Sequence, residues 1–288
     1  MKQAADSYRY AVLGNPVAHS RSPFIHEAFA RQCGLPITYE RVLSPLDAFA
    51  ATVRAFAGAG GRGVNVTLPF KFEALALAQR RSARAALAGA ANVLKLDAAG
   101  GWWADNTDGV GLVRDIEQGA GVKITGQRVL LLGAGGAAAG ALGPLVEAQP
   151  AQVVVVNRSA ARAEALIGAH AGWADRHRVE LCAATLADAG GAFDIVVNAT
   201  SSSLKGAPVP VSPRVLAPGA LALDMMYGTA AEPFLHWAVE AGAVARDGLG
   251  MLVAQAAEAF HVFRGVMPDV APVLAALRQL LADEAGRP

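Results

Sequence analysis

Short apolar runs alternate with longer stretches of helical periodicity along most of this chain. That alternation predicts parallel sheets built from strand-helix-strand units, an α/β fold. Strands are expected at Tyr10 to Gly14, Ile37 to Val42, Gly63 to Val66 and Val93 to Leu96, with helices at Pro23 to Gln32 and Leu46 to Ala57. A helix should run from Gly109 to Gln118, and the stretch from Gly119 to Gly126 reads as a junction between two units. The second unit opens with a strand at Arg128 to Leu132, a glycine-rich turn, a helix to about Glu147 and a buried-looking strand at Val153 to Asn157, which together make one βαβ unit. Strands at Phe193 to Asn198, Leu221 to Met225 and Ala243 to Arg246 continue a doubly wound sheet, with a helix at Glu232 to Ala241. Beyond Gly248 the pattern is helical only, over Met251 to Arg264 and Val270 to Glu284.

Composition narrows the function without naming it. The chain has 288 residues, enough for two domains with separate cores. Much of its hydrophobic fraction of 53% is alanine, and no run of about 18 apolar residues escapes charge, Gly or Pro. No membrane span is expected. The residues up to Arg9 lack the apolar core of a secretory signal, so a cytoplasmic location is expected. Cys33 and Cys182 lie far apart without metal-ligand spacing, and read as packing residues in a reducing compartment; no metal site is expected. A net charge of +1 argues against a nucleic-acid surface.

Two constellations carry chemistry. In Gly133-Ala134-Gly135-Gly136-Ala137-Ala138 the first glycine permits a tight turn, the second lets backbone approach a pyrophosphate, and Ala138 allows close helix-strand packing. The phosphate would meet the helix N-terminus, where free N–H groups point outward. The strand that follows ends in Asn157-Arg158-Ser159 instead of the acidic residue that binds the ribose hydroxyls of NAD. A guanidinium at Arg158, the Ser159 hydroxyl and Arg162 one turn on suit a 2′-phosphate, so NADP is favoured. The other constellation pairs Lys71, after Asn65-Val66-Thr67-Leu68-Pro69-Phe70, with Asp108 in Asn106-Thr107-Asp108-Gly109. They stand at the ends of two different elements and can move a proton. If Pro69 starts a helix, Lys71 lies in or near its first turn, where the helix dipole disfavours a further positive charge and so favours proton donation. Taken on spacing alone, Lys71 reads more simply as a solvated surface lysine and Asp108 as a helix N-cap. Hydride plus proton means carbonyl/alcohol redox chemistry.

With these motifs in this order, the chain resembles the shikimate dehydrogenase family nearly end to end. The carriers are Gly14-Asn15-Pro16 with His19-Ser20-Arg21-Ser22-Pro23, Asn65 to Lys71, Gly89-Ala90-Ala91-Asn92, Asn106 to Gly109, the glycine turn, Asn157-Arg158-Ser159, Asn198-Ala199-Thr200-Ser201, Asp224-Met225-Met226-Tyr227, and Gly248-Leu249-Gly250-Met251 with Gln255. The resemblance implies NADPH-dependent reduction of 3-dehydroshikimate to shikimate in aromatic amino-acid biosynthesis, with Lys71 and Asp108 as the catalytic pair. It implies that Ser20 and Ser22 hold the substrate carboxylate beside a helix beginning at Pro23, and that Asn65, Thr67, Asn92, Asp108, Tyr227 and Gln255 bind the rest of the substrate. Thr200, Met225, Gly248 and Met251 are placed along the cofactor, although Met225 and Met251 read more simply as packing residues. Gln255 implies that the terminal helices complete the first domain. The expected division is 1–118 with 248–288 for substrate and 119–247 for NADP, the latter a Rossmann domain. The chain is expected to act as monomer or homodimer.

The chain departs from the family pattern at Ser203, where glycine is common, and at Glu232, where threonine is frequent; Ser159 in place of threonine keeps the hydroxyl. Two rival readings stay open at this point. One is the quinate/shikimate branch that often uses NAD; the other is a non-catalytic NADP-binding module on the same fold.

Overall fold

The computed structural model describes residues 8–200 and 208–285. The motif positions Ser201 and Ser203 lie outside the described residues. Contacts divide the chain into two compact units, Met1–Thr107 with Val253–Pro288, and Asp108–Leu252.

The first unit begins β1 (Tyr8–Gly14), α1 (Ser22–Cys33), β2 (Ile37–Leu43), α2 (Phe49–Gly58), β3 (Gly61–Val66), α3 (Lys71–Leu77), β4 (Arg80–Arg81), α4 (Ala83–Ala88), β5 (Val93–Leu96) and β6 (Trp102–Asp105). Its sheet runs β2-β1-β3-β5-β6-β4. β1 pairs in parallel with β2 and β3, but β5 runs antiparallel to both β3 and β6, which corrects the all-parallel expectation. The cause is local. The Asp97 carboxylate accepts the amides of Ala99 and Gly101 at 2.9 Å and Gly100 takes φ +82°, so the chain reverses in a tight turn. A parallel return would need a crossover of a dozen residues or more. Trp102 is thereby drawn into the core with Phe49, Phe56 and Phe70. α2 starts at Phe49, later than Leu46, because the Ala48 amide first closes a turn on Pro45.

The second unit opens with α5 (Asp108–Arg114), whose last residues pass into a π-helical turn, Asp115–Gly119, where one continuous helix was expected. It continues with β7 (Arg128–Leu132), α6 (Gly136–Glu147), β8 (Gln152–Val156), α7 (Ala160–His177), β9 (Glu180–Ala184), β10 (Phe193–Asn198), β11 (Leu216–Asp224), α8 (Glu232–Glu240) and β12 (Val244–Arg246). The sheet is parallel throughout, in the order β12-β11-β10-β7-β8-β9, so the strand order reverses between β7 and β10. This is the doubly wound Rossmann arrangement, which binds ligands at the reversal point. Alternate residues of β7 and β8 enter separate cores on the two faces: Val129, Leu131, Val153 and Val155 on one, Leu130, Leu132, Val154 and Val156 on the other. Continuous Leu/Val runs are therefore required. α5 belongs to this unit because Gly109 lets it press on α6; a Cβ there would stand 2.3 Å from the Gly140 carbonyl. Grouped by contacts, the second unit thus starts a helix ahead of the junction at Gly119.

α9 (Leu249–Arg264) begins in the second unit and ends in the first, followed by α10 (Val270–Ala285). In the first unit α9 covers the sheet face opposite Trp102: Phe263 stacks on Tyr10 at 4.6 Å, and Lys95 Nζ donates to the Val262 carbonyl at 2.7 Å. Gly63 makes room for the Phe263 ring, which a Cβ would approach to 2.7 Å. Among the described residues no helix is long and apolar enough to cross a membrane.

Candidate active site

The polar residues singled out in the first unit gather at the ends of β1, β3 and β6 and on α9. Gly14 closes β1 with no side chain, and a Cβ there would meet the Thr67 methyl at 2.4 Å. The Thr67 amide donates to the Leu13 carbonyl at 2.9 Å, so the residues after β1 and β3 are held side by side. Ser20 and Ser22 form one unit. The Ser22 amide donates to Ser20 Oγ at 3.3 Å and Ser20 Oγ donates to Ser22 Oγ at 3.2 Å. Ser22 is the first residue of α1 and not its N-cap, which is Arg21, so the hydroxyl that accepts from the helix start is that of Ser20. Arg41 clamps this turn from β2, donating through Nε and Nη2 to the Ser20 carbonyl at 2.8 and 2.6 Å.

Lys71 is the first residue of α3, with Phe70 as cap. Pro69 does not begin that helix, because the Phe70 amide donates back to Thr67 at 3.1 Å and closes a turn in which Pro69 is an inner residue. The Lys71 carbonyl accepts the Ala91 amide at 2.8 Å, which fixes the start of α3 beside Asn92. Asn92 is buried, with Oδ1 accepting the Thr107 amide at 2.8 Å and Nδ2 donating to Thr107 Oγ1 at 2.9 Å and to Gln255 Oε1 at 3.2 Å. Thr107 Oγ1 also donates to Gln255 Oε1 at 3.3 Å. Asn65 joins the group through a long contact from Nδ2 to the Asn92 carbonyl, 3.4 Å. The structure therefore brings Asn65, Asn92 and Gln255 together. It gathers Ser20 with Ser22, and Thr67 with Lys71, on neighbouring segments of the same unit. Asp108 and Tyr227 belong to the second unit, Asp108 buried as the first residue of α5 and Tyr227 half-buried ahead of a short 3-10 turn.

Sequence reasoning missed the residues that hold this group in place. Asp105 is 1% exposed and accepts from Ser82 Oγ at 2.5 Å, the Asn106 amide at 2.8 Å and Arg84 Nε at 2.7 Å. Arg84 reaches on to Glu258 on α9 at 3.0 Å, one turn beyond Gln255. Burial alone would lower the Arg84 pKa, but the Asp105 and Glu258 carboxylates outweigh it and raise it. Tyr39 is buried and its phenol donates to Asn65 Oδ1 at 2.7 Å. The period-two pattern of β2, with Thr38 and Glu40 exposed on either side, is the signal that could have found it.

On the second unit the glycine turn has the form a pyrophosphate needs. Gly133 takes φ +111°, and a Cβ there would lie 3.2 Å from the Ala199 carbonyl group. Gly135 caps α6 in an extended conformation with open space where a side chain would project, Gly136 starts the helix, and Ala134 and Ala137 remain partly exposed beside it. The first-turn amides of this 12-residue helix are the groups that face an anion. At the end of β8, Asn157 Nδ2 donates to the Ser159 carbonyl at 3.0 Å, and Arg158, Ser159 and Arg162 are exposed. Ser159 is the N-cap residue of α7, but its hydroxyl makes no capping hydrogen bond.

A second polar chain shapes the ends of β10 and β11. Asp224, fully buried, accepts from Asn198 Nδ2 at 2.9 Å and from the Met226 amide at 2.8 Å, while Asn198 Oδ1 accepts from Thr200 Oγ1 at 2.7 Å. Met225 is thus fixed beside Gly248, where a Cβ would come within 2.4 Å of the Met225 carbonyl oxygen. Met251 is 6% exposed and packs in the core with Leu112 and Ala138. The buried Asp115 carboxylate pairs with the partly buried Arg246 at 2.6 Å, and a side chain on Gly250 would strike that carboxylate. Among the described residues no group of three or more His, Cys, Asp or Glu is arranged to hold a metal ion.

An α/β unit with a cluster of hydrogen-bonding side chains and a Rossmann unit with an anion-binding glycine turn define a dinucleotide-dependent oxidoreductase acting on a small polar substrate. Residues 12–94 match the shikimate dehydrogenase substrate binding domain, residues 115–206 the shikimate / quinate 5-dehydrogenase family and residues 248–278 the shikimate 5′-dehydrogenase C-terminal domain. The shikimate dehydrogenase (NADP(+)) of Methylibium petroleiphilum is 60% identical over 98% of this chain and 98% of its own length. Among solved structures, an Ael1 enzyme from Pseudomonas putida is 46% identical with a TM-score of 0.85, covering 94% of this chain and 98% of that one. The shikimate 5-dehydrogenase of Thermus thermophilus in complex with NADP(H) and shikimate is 33% identical with a TM-score of 0.81, covering 94% and 99%. The chain belongs to the shikimate dehydrogenase family.

Proposed function

We infer that the chain catalyses the reversible, NADPH-dependent reduction of 3-dehydroshikimate to shikimate. The observation that carries this reading is a conjunction: the Asn65, Asn92, Thr107 and Gln255 amide and hydroxyl cluster on one unit, and on the other a Gly133 turn followed by Arg158 and Ser159 at the end of β8. The first suits a ligand dense in hydroxyls, the second a dinucleotide bearing a 2′-phosphate.

The first unit, with α9 and α10, serves the substrate and the Rossmann unit serves NADP. Ser20 and Ser22 donate to the substrate carboxylate at the start of α1. Asn65, Thr67, Asn92, Tyr227 and Gln255 hold the ring hydroxyls. Gly133, Ala134, Gly135, Gly136 and Ala137 hold the pyrophosphate. Asn157, Arg158, Ser159 and Arg162 hold the 2′-phosphate, and Thr200, Met225, Gly248 and Met251 line the rest of the cofactor site. NADPH, when bound, supplies the hydride for the C3 carbonyl carbon. Lys71 delivers the proton to the C3 oxygen as the carbonyl becomes an alcohol, and Asp108 orients that oxygen and relays the proton. The chain works in the cytoplasm as a monomer or homodimer.

A spectrophotometric assay of shikimate-dependent NADP reduction, with product identification and parallel arms for quinate and NAD, tests this reading. Turnover of shikimate with NADP well above the other combinations is expected. Absence of shikimate turnover by folded protein, or a preference for quinate with NAD, would overturn it.

A further inference from the structure

We propose that Tyr39 is a positioning residue that sets the polarity of substrate recognition, by holding the Asn65 amide with its NH2 group toward the ligand. The inference rests on the substrate-site reading above. A side-chain amide offers one acceptor end and one donor end. Tyr39 OH donates to Asn65 Oδ1 at 2.7 Å, so the acceptor end is turned toward the phenol. What remains is Nδ2, whose contact to the Asn92 carbonyl is 3.4 Å and leaves donor capacity for a ligand oxygen.

The phenol is a dependable donor. Tyr39 is 6% exposed, and burial pushes its pKa well above the ordinary value, with the neighbouring Ser22 hydroxyl opposing but not reversing the effect. Its ring is fixed as well, lying flat on His26 at 4.3 Å with an interplanar angle of 11°. Tyr39 is thus buried between the two ends of the proposed substrate site, with Ser22 as a neighbour at one and Asn65 bonded at the other. Without the phenol O–H, a buried Asn65 oxygen loses its donor, and the amide is free to turn its acceptor end toward the substrate hydroxyl.

Tyr39→Phe tests this cleanly because it removes one oxygen and keeps the stacked ring. The KM for shikimate should rise roughly tenfold, the loss expected when a buried acceptor is left unpaired. The KM for NADP should stay unchanged and kcat should stay within about twofold, as for a group that positions without reacting. Asn65→Ala should raise the KM at least as far, and Tyr39→Phe/Asn65→Ala should be no worse than Asn65→Ala alone. A wild-type KM in Tyr39→Phe overturns the proposal, as do equal increases in both KM values or a further tenfold loss in the double variant. Failure of the substrate reading itself is separable, since the wild-type protein would then show no shikimate turnover at all.

Discussion

Acid should weaken the first unit through one imidazole. His26 on α1 is 1% exposed among Phe29, Tyr39, Phe260 and Phe263, and among the described residues neither ring nitrogen has a hydrogen-bond partner. Burial lowers its pKa from 6.5 to about 3, so the folded chain keeps the ring neutral. Once unfolded, the same side chain takes up a proton as the pH falls below its ordinary value. Across that window the unfolded state binds more protons, and stability declines as pH falls; above it His26 has no effect. At about 1.4 kcal/mol per pH unit, moving to about pH 5 costs about 2 kcal/mol, and the whole shift amounts to about 5 kcal/mol. The assay is urea denaturation of the wild-type protein and His26→Phe at about pH 7.5 and about pH 5. Phenylalanine keeps the stacking and removes the proton site. His170, whose pKa burial also lowers, acts in the same direction but is common to both proteins and cancels. Wild type should lose about 2 kcal/mol more than the variant over this interval. Equal losses would show that His26 is not buried as a neutral ring.

Three further outcomes follow from the geometry. Lys71→Met should lower turnover by about two to four orders of magnitude while shikimate binding, read by calorimetry, survives within a few-fold. Arg158→Ala should raise the KM for NADPH about ten- to a hundredfold and leave that for NADH unchanged, which steady-state kinetics with both cofactors will check. Arg84→Met leaves the buried Asp105 carboxylate, and the partly buried Glu258 beside it, without their shared cation, a loss of about 3–5 kcal/mol in urea denaturation, whereas Glu258→Gln keeps the Asp105 pair and should cost far less.

Much of this molecule is written in local pattern. Leu130 to Leu132 and Val153 to Val156 are apolar at every position because both faces of a parallel sheet are buried, and that requirement is visible in any window of the chain. Gly133 is legible for a similar reason: a residue that must take φ +111° beside the Ala199 carbonyl leaves little choice but glycine. Short motifs such as Asn65 to Lys71 and Asn106 to Gly109 likewise announce candidate chemistry wherever they fold. That β5 runs antiparallel to β3 and β6 was not legible, because strands of four to six residues carry no mark of the direction in which they pair, and the Asp97 hydrogen bonds that tighten the β5–β6 turn form only on folding. Nor could sequence reveal that Arg84 bridges residues 105 and 258, that Tyr39 donates to Asn65, or that His26 lies beneath that phenol. Composition and periodicity report what each residue prefers on average, solvent or interior, helix or strand. Which buried donor meets which acceptor depends on distances between segments far apart in the chain, and those distances exist only once the sheets have formed and closed on their helices.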